Sequence, residues 1–545
     1  MNESPLLRSS LFLIVAFAAA ACGADPEKAG DECDPDDGCP NNMVCADSGG
    51  DDICQIQAGE TCELGGKDYC LNEAICANNG QGQGACGAPE GGACDPSSTV
   101  CAGNMTCAEH EGGQTMCRLP VNIKGMVFDA ATDAGIKAAQ IVALDDRATA
   151  VTDVAESDAA GNYVLDVPVP RTADGTPITT YIVTLRASAR DYQTFPGGIR
   201  TALPIRTDAP EKTDTGWVID NALTDIALIG LPTDQRGRPS ISGTVKAGDQ
   251  SAGVLVVAET GAPGAPAGVS DRGGVYTVFN VPNGPVKVRG YAADVQLTPV
   301  DTTVAGADIK NVDLLQSDAA LGEIAGSVAI VNAFGGAVTS IVLVPTSTFN
   351  ETFARGEVPR GLRTPLVGPP NVSGAFLITG VPEGTYKVLA AFENDQLVRD
   401  PDLNIAGTQI VEITMAAPGT HMDVATSFKV TEALDVVGPG AEAAESVTAP
   451  VTLTWADDSS VDKFEVIVFN ALGDMVWCRA DSVTCPAGGG SLPSVSGSAN
   501  VSVIYDGPLD PGMYYQFRAT SWRGTSPISS TEDLRGVFFA PKPQP

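Results

Sequence analysis

The chain has 545 residues, enough for three to five domains at about 100–200 residues each. Its 67 Asp and Glu against 32 Lys and Arg give a net charge of −35, which repels phosphate backbones and excludes nucleic acid as an expected partner. Only two histidines are present, His110 and His421, so His-based acid–base catalysis and His-rich metal sites are poorly supplied. Sparse aromatics (6%) with 60 Gly and 38 Pro point to short strands joined by turns rather than to helices.

The amino terminus reads as a targeting device. Arg8 precedes an apolar run from Leu11 to Ala21, which ends at Ala19-Ala20-Ala21-Cys22. The run fits a signal-peptide core and falls short of the roughly 20 residues that span a bilayer. It resembles a bacterial lipoprotein signal, although Ala19 stands where that pattern prefers Leu. The resemblance implies cleavage after residue 21 and acylation of Cys22; Gly23 at the next position goes with outer-membrane sorting. The rival is an ordinary A-x-A secretory site cut at the same bond. Fifteen cysteines are odd in number, and setting Cys22 aside leaves an even set, as a fully paired secreted protein requires.

After a tether to residue 32, three four-cysteine units follow over 33–118: Cys33, Cys39, Cys45, Cys54; then Cys62, Cys70, Cys76, Cys86; then Cys94, Cys101, Cys107, Cys117. The second and third cysteines are six residues apart in every unit, and eight residues separate one unit from the next. Gly30, Gly59 and Gly91 open the units. Such a tandem repeat lacks the apolar side chains for a core, so disulfides must replace one, which calls for an oxidising compartment. Four cysteines allow three pairings, and all three stay open. By spacing alone the units resemble dickkopf-type cysteine-rich modules.

Three β-rich segments then share a frame. Each opens on an alternating strand: Ile123-Lys-Gly-Met-Val127, Ile241-Ser-Gly-Thr-Val245 and Ile324-Ala-Gly-Ser-Val328. Each continues through a turn glycine to an aromatic two residues on (Gly161 and Tyr163, Gly274 and Tyr276, Gly374 and Phe376), which is expected to plug the core. A Val-Pro step follows at Val167-Pro168, Val281-Pro282 and Val381-Pro382. The frame resembles the carboxypeptidase regulatory-like domain, a seven-stranded prealbumin-like sandwich without peptidase residues. It is clearest in the third copy, through Gly384-Thr-Tyr386. Val286 replaces the aromatic in the second copy, and an insertion near Pro170–Pro177 interrupts the first. Sandwiches are expected at 121–230, 239–316 and 322–417.

A last sandwich is expected at 430–541. Val451-Thr-Leu-Thr-Trp455 alternates, Phe464–Val468 is a second strand, and Tyr514–Ala519 a late one. This order resembles a fibronectin type III domain, which implies a core role for Trp455. Cys478 and Cys485 are expected to pair locally.

Candidate chemistry is thin. Gly82-Gln-Gly84-Ala-Cys-Gly87 matches a dinucleotide pattern but lies inside a cysteine repeat, without the strand and helix that would bring an amide-rich helix end to a pyrophosphate. The cysteine spacings are too wide for ordinary zinc pairs. Asp31, Glu32, Asp34, Asp36, Asp37, Asp51 and Asp52 form an acidic cluster able at most to hold Ca2+ weakly, since no EF-hand order appears; no other cofactor is expected. The region 23–120 carries 18 acidic and three basic side chains and reads as a solvated stalk. Trp477, beside Cys478, and Trp522, near Gly524, are candidate ligand contacts for a sugar.

The expected fold is mainly β: serial Ig-like or prealbumin-like sandwiches after a disulfide-rich block of low secondary structure, extended as a rod. No enzyme activity is expected. The expected role is a lipid-anchored surface protein for adhesion or cell-envelope interaction, with a membrane partner through its acyl chains and an envelope protein or polysaccharide beyond. The alternative is a carbohydrate-binding accessory or scaffold of a separate enzyme or transporter.

Overall fold

The computed structural model describes residues 28–540 apart from internal segments, of which 392–409 is the longest. The signal segment 1–21 and Cys22 lie outside the described residues. The chain divides near residue 119 into two compact units, and both are built from strands.

In the first unit each cysteine repeat folds to a short hairpin: Met43–Asp47 with Asp52–Ile56, Ile75–Asn78 with Gly84–Gly87, and Thr106–Glu109 with Thr115–Arg118. One pairing recurs, first to third and second to fourth: Cys33–Cys45 and Cys39–Cys54, Cys62–Cys76 and Cys70–Cys86, Cys94–Cys107 and Cys101–Cys117. Each bridge closes a loop of 12 to 16 residues, which contributes about 3 kcal/mol by restricting the unfolded chain. The opening glycines have a backbone role. The N–H groups of Gly30, Gly59 and Gly91 donate to the carbonyls of Cys54, Cys86 and Cys117, the last cysteine of each repeat. Those cysteines donate in return to the carbonyls of Asp31, Glu60 and Gly92, so every repeat is closed by a reciprocal pair of bonds.

The second unit holds four sandwiches. The first three share one topology. Their opening strands, Val121–Asp129, Ile241–Lys246 and Gly322–Val331, pair antiparallel with the fourth strands, Asn162–Val167, Val275–Val278 and Ala375–Val381. The opening strands also pair in parallel with the closing ones: Gly216–Ile219 and Ile226–Leu228, then Leu314–Leu315, then His421–Asp423 and Phe428–Thr431. The opposing sheet runs third, second, fifth, sixth in each copy, as in Ala267–Val269, Leu255–Glu259, Gly284–Tyr291, Val300–Val304.

The shared register explains the opening motif. Gly125 lies directly opposite Tyr163, Gly243 opposite Tyr276 and Gly326 opposite Phe376. All three aromatics are buried. The tyrosine hydroxyls donate to the carbonyls of Thr224 and Val312, each 2.5 Å away on the approach to the closing strand. A Cβ on Gly125 or Gly243 would lie 2.0 Å from the same carbonyl oxygens, and one on Gly326 2.7 Å from the Phe376 ring. The bare glycine lets an aromatic lie across the opening strand and meet the closing one.

The last sandwich sets Val436–Gly438, Val451–Ala456 and Asn500–Tyr505 against a sheet containing Met475–Arg479, Lys463–Asn470, Tyr514–Arg523 and Val537–Phe539. Trp455 is fully buried, edge-on to Phe464 at 5.8 Å, in agreement with its expected core role.

Two expectations are corrected. The third sandwich does not end at 417, and the fourth does not begin at 430, because His421–Asp423 and Phe428–Thr431 complete the third sandwich's opening sheet. Nor do the sandwiches follow one another as an extended series. Sandwich 1 also meets sandwiches 3 and 4, through Ala130, Ile199 and Ile229 packed with Phe353, Ala471 and Val537.

Candidate functional site: the joints and the cavity between sandwiches

Charged pairs tie loops of different sandwiches together. Arg186 of sandwich 1 makes a bidentate contact with Glu357 of sandwich 3, both bonds 2.9 Å long, and its side chain is 6% exposed. Arg190 grips both carboxylate oxygens of Asp308 in sandwich 2 at 2.7 and 2.8 Å and also donates to the Arg238 carbonyl. These bonds, with one from the Ser240 amide, hold the Asp308 carboxyl below its ordinary pKa. Between sandwiches 2 and 3 the joint is apolar: Leu255, Val257 and Tyr291 share a cluster with Ile341, Leu343 and Tyr386. The two tyrosine rings meet edge to face at 5.8 Å. Burial pushes both phenols well up, so they act as neutral hydroxyls: Tyr291 donates to Glu259 and Tyr386 to the Pro382 carbonyl.

Where these joints converge lies a cavity of about 770 Å³. Its lining comes from sandwich 1 (Gln193, Arg200), the following linker (Arg238), sandwich 2 (Asn280), sandwich 3 (Arg355, Glu357) and Leu472 of sandwich 4. The volume falls within the usual range for a small-ligand site.

The cavity uses none of the sites expected from sequence. Trp477, one of the two candidate sugar contacts, is 1% exposed. Its ring packs edge-on to Tyr505 at 5.2 Å, and its Nε1 donates to Asp506 at 2.6 Å. The guanidinium of Arg479 covers the ring at 4.5 Å and also holds Asp506. With its ring packed and its N–H engaged, Trp477 is a core residue. Trp522 is half-buried, with the Lys463 ammonium 4.8 Å from its ring centre. Lys463 is held in turn by Glu465 and Asp481.

Cys478 pairs with Cys485. The repeat cysteines whose sulfurs lie close together are all in disulfides, and a disulfide sulfur is not the thiolate that zinc takes. Gly82 of the dinucleotide-like run and Asp37 of the acidic cluster lie outside the described residues. The other two glycines of that run serve packing: a Cβ on Gly84 would lie 2.4 Å from the Cys62 carbonyl oxygen, and one on Gly87 2.4 Å from the Ala102 amide. His421 stands in a closing strand, its Nδ1 2.6 Å from Glu323 and its Nε2 3.2 Å from Asp423. Hydrogen bonds to these carboxylates raise its pKa above 6.5.

No known protein-family profile matches the chain, and no curated protein matches it in sequence. Solved structures do align with it. The Bacillus anthracis TIE protein aligns at 9% identity over 77% of this chain and 73% of its own, with a TM-score of 0.15. A streptococcal ancillary pilin aligns at 12% identity over 57% of this chain and 98% of its own, with a TM-score of 0.14. The major pilin subunit of Bacillus cereus does so at 10% identity, over 56% and 98%, with a TM-score of 0.15. At such scores the alignments carry nothing beyond themselves, and the fold stands on the strand pairing above. Among the described residues no helix is long and apolar enough to cross a membrane.

Proposed function

We propose that the chain is a non-enzymatic, lipid-anchored protein of the bacterial cell surface that presents its sandwiches for adhesion or for contact with another envelope component. The joinery between sandwiches carries this reading. The Arg186–Glu357 fork and the apolar cluster around Phe353 fix loops from separate sandwiches in one arrangement, and rigid support for loop-borne contacts is what a recognition surface needs. Disulfides throughout the repeats support an oxidising, extracytoplasmic location. In this reading the first three sandwiches are carboxypeptidase regulatory-like, the last is fibronectin type III-like, and acylated Cys22 is the anchor to the outer membrane.

Fractionation of cells carrying Cys22→Ser tests the anchor: the variant should leave the membrane fraction, and full retention there would overturn lipid anchoring. Cross-linking on intact cells tests the role. Recovery of an envelope protein or polysaccharide on the chain is expected, and a chain that cross-links to neither would overturn a surface contact. The carbohydrate-binding alternative is favoured by the cavity at the joints.

A further inference from the structure

We infer that the loop closed by Cys478 and Cys485 is a thiol-operated flap, which covers part of the last sandwich's outer face and uncovers it on reduction. Alternation along Lys463–Asn470 puts Phe464, Val466 and Val468 in the core, so Lys463, Glu465 and Ile467 face the other way. Across the sheet, Trp522 lies opposite Lys463, and Cys478 opposite Ile467. An acid on an outward sheet face is normally hydrated. Glu465 is instead 2% exposed.

The cover is the loop. Ser482 Oγ donates to one Glu465 oxygen, while the other accepts from the Asp481 amide at 3.4 Å and the Lys463 ammonium at 2.6 Å. Asp481 also takes the Lys463 ammonium, which stands 4.8 Å from the Trp522 ring centre. Two of the three donors to Glu465 thus come from the loop.

Little besides the disulfide keeps the loop in place. Asp481, Ser482, Val483 and Thr484 are all exposed, so they bury little apolar area. Among the described residues no backbone-to-backbone hydrogen bond ties 481–484 to the sheet, in contrast to the reciprocal bonds that close every cysteine repeat. The entropy of ordering such a loop outweighs a few polar contacts at a surface. The covalent link therefore decides its position.

The two sulfurs differ in access: Cys478 is 1% exposed, and Cys485 is half-buried. A low-molecular-weight thiol, as its thiolate, attacks Cys485 Sγ; the S–S bond breaks and Cys478 leaves as a thiolate that takes up a proton. A second thiol resolves the mixed disulfide, which frees the Cys485 thiol and forms the oxidised thiol dimer. Two thiols are oxidised for each protein disulfide reduced, and exchange with that dimer closes the flap again. With the flap open, Lys463, Glu465 and Trp522 form an uncovered patch on the last sandwich.

Neither the lipid anchor nor the surface partner enters this assignment, so its failure leaves both untouched. Carboxyl footprinting of the full chain with carbodiimide and glycinamide, read by mass spectrometry, tests it across glutathione buffers of graded potential. Iodoacetamide trapping follows the state of Cys478 and Cys485 in the same samples. Glu465 labelling should rise at least about tenfold as the pair is reduced, while Asp301, whose side chain is 81% exposed, labels equally throughout. Cys478→Ala combined with Cys485→Ala should label Glu465 even in oxidising buffer. Ser482→Ala, with the bridge intact, should leave Glu465 protected. Amide exchange in Lys463–Asn470 and Tyr514–Arg523 should stay slow in every case. Glu465 still unlabelled with the pair reduced would overturn the flap, as would labelling in Ser482→Ala equal to that in the cysteine variant. Exchange in those strands that quickens with the labelling would also overturn it, since the sandwich itself would then have opened.

Discussion

An added methyl at Gly125 would collide with the Thr224 carbonyl and crowd the Tyr163 hydroxyl, 2.9 Å away. Neither neighbour can withdraw, since one is backbone of the segment entering the closing strand and the other is a buried ring. Gly125→Ala should therefore cost about 2–3 kcal/mol. Gly374→Ala, where an added Cβ meets nothing within 4 Å, should cost under about 0.5 kcal/mol. Denaturant unfolding followed by circular dichroism measures both, and equal midpoints would remove the steric account of the opening motif. His421 offers a second residue-scale test. Its raised pKa means that its ion pairs with Glu323 and Asp423 hold the closing strand fully below about pH 6.5 and are lost as pH rises through the folded value. With only two histidines in the chain, proton NMR can follow it alone. Its titration midpoint should lie above 6.5 and fall toward that value in Glu323→Gln; a midpoint unmoved by the substitution would contradict the pairing.

The same logic governs whole elements. Each opening strand is central, flanked by a fourth strand on one side and a closing strand on the other, so its alternating Ile and Val build the core while its glycine accepts the aromatic. Sandwiches 2 and 3 share one apolar cluster, whereas sandwiches 1 and 3 are joined by a guanidinium fork. Removal of either end of that fork leaves a poorly hydrated charge, and a double-mutant cycle with Arg186→Met and Glu357→Gln should show a coupling of about 2 kcal/mol. A coupling near zero would mean that the apolar contacts around Phe353 hold that joint unaided.

At the scale of the molecule, two units rely on different physics. The first depends on cross-links, and the second on apolar cores with one local disulfide. Reduction under native conditions should make residues 33–118 sensitive to protease within the time that the sandwiches stay resistant, since six bridges worth about 3 kcal/mol each exceed the stability of so small a domain. Fragment mapping by mass spectrometry reads this directly. Equal resistance of 33–118 before and after reduction would show that the repeats have a sufficient core without them.

The sequence by itself determined the local rules. Cysteine spacing marked three cross-linked repeats, because identical intervals repeat a single closed loop. Alternation with a glycine and a later aromatic marked three copies of one sandwich, because the pleat puts every second residue on one face. The core place of Trp455 was legible through the fibronectin type III resemblance of its segment. Tertiary structure alone decided the rest. The first-to-third, second-to-fourth cysteine pairing depends on which sulfurs the folded hairpins bring together, which spacing alone does not show. The parallel closing strands His421–Asp423 and Phe428–Thr431 pair across about a hundred residues with Glu323–Ala325 and Val328–Val331, and no local pattern names so distant a partner. Trp477 is buried because Tyr505 and Asp506 reach it from elsewhere in the fold, while Arg479 of its own strand lies over the ring. The cavity was invisible for the same reason: Gln193, Arg200, Glu357 and Leu472 belong to three sandwiches, and their convergence is a property of how the joints close, not of any segment's own pattern.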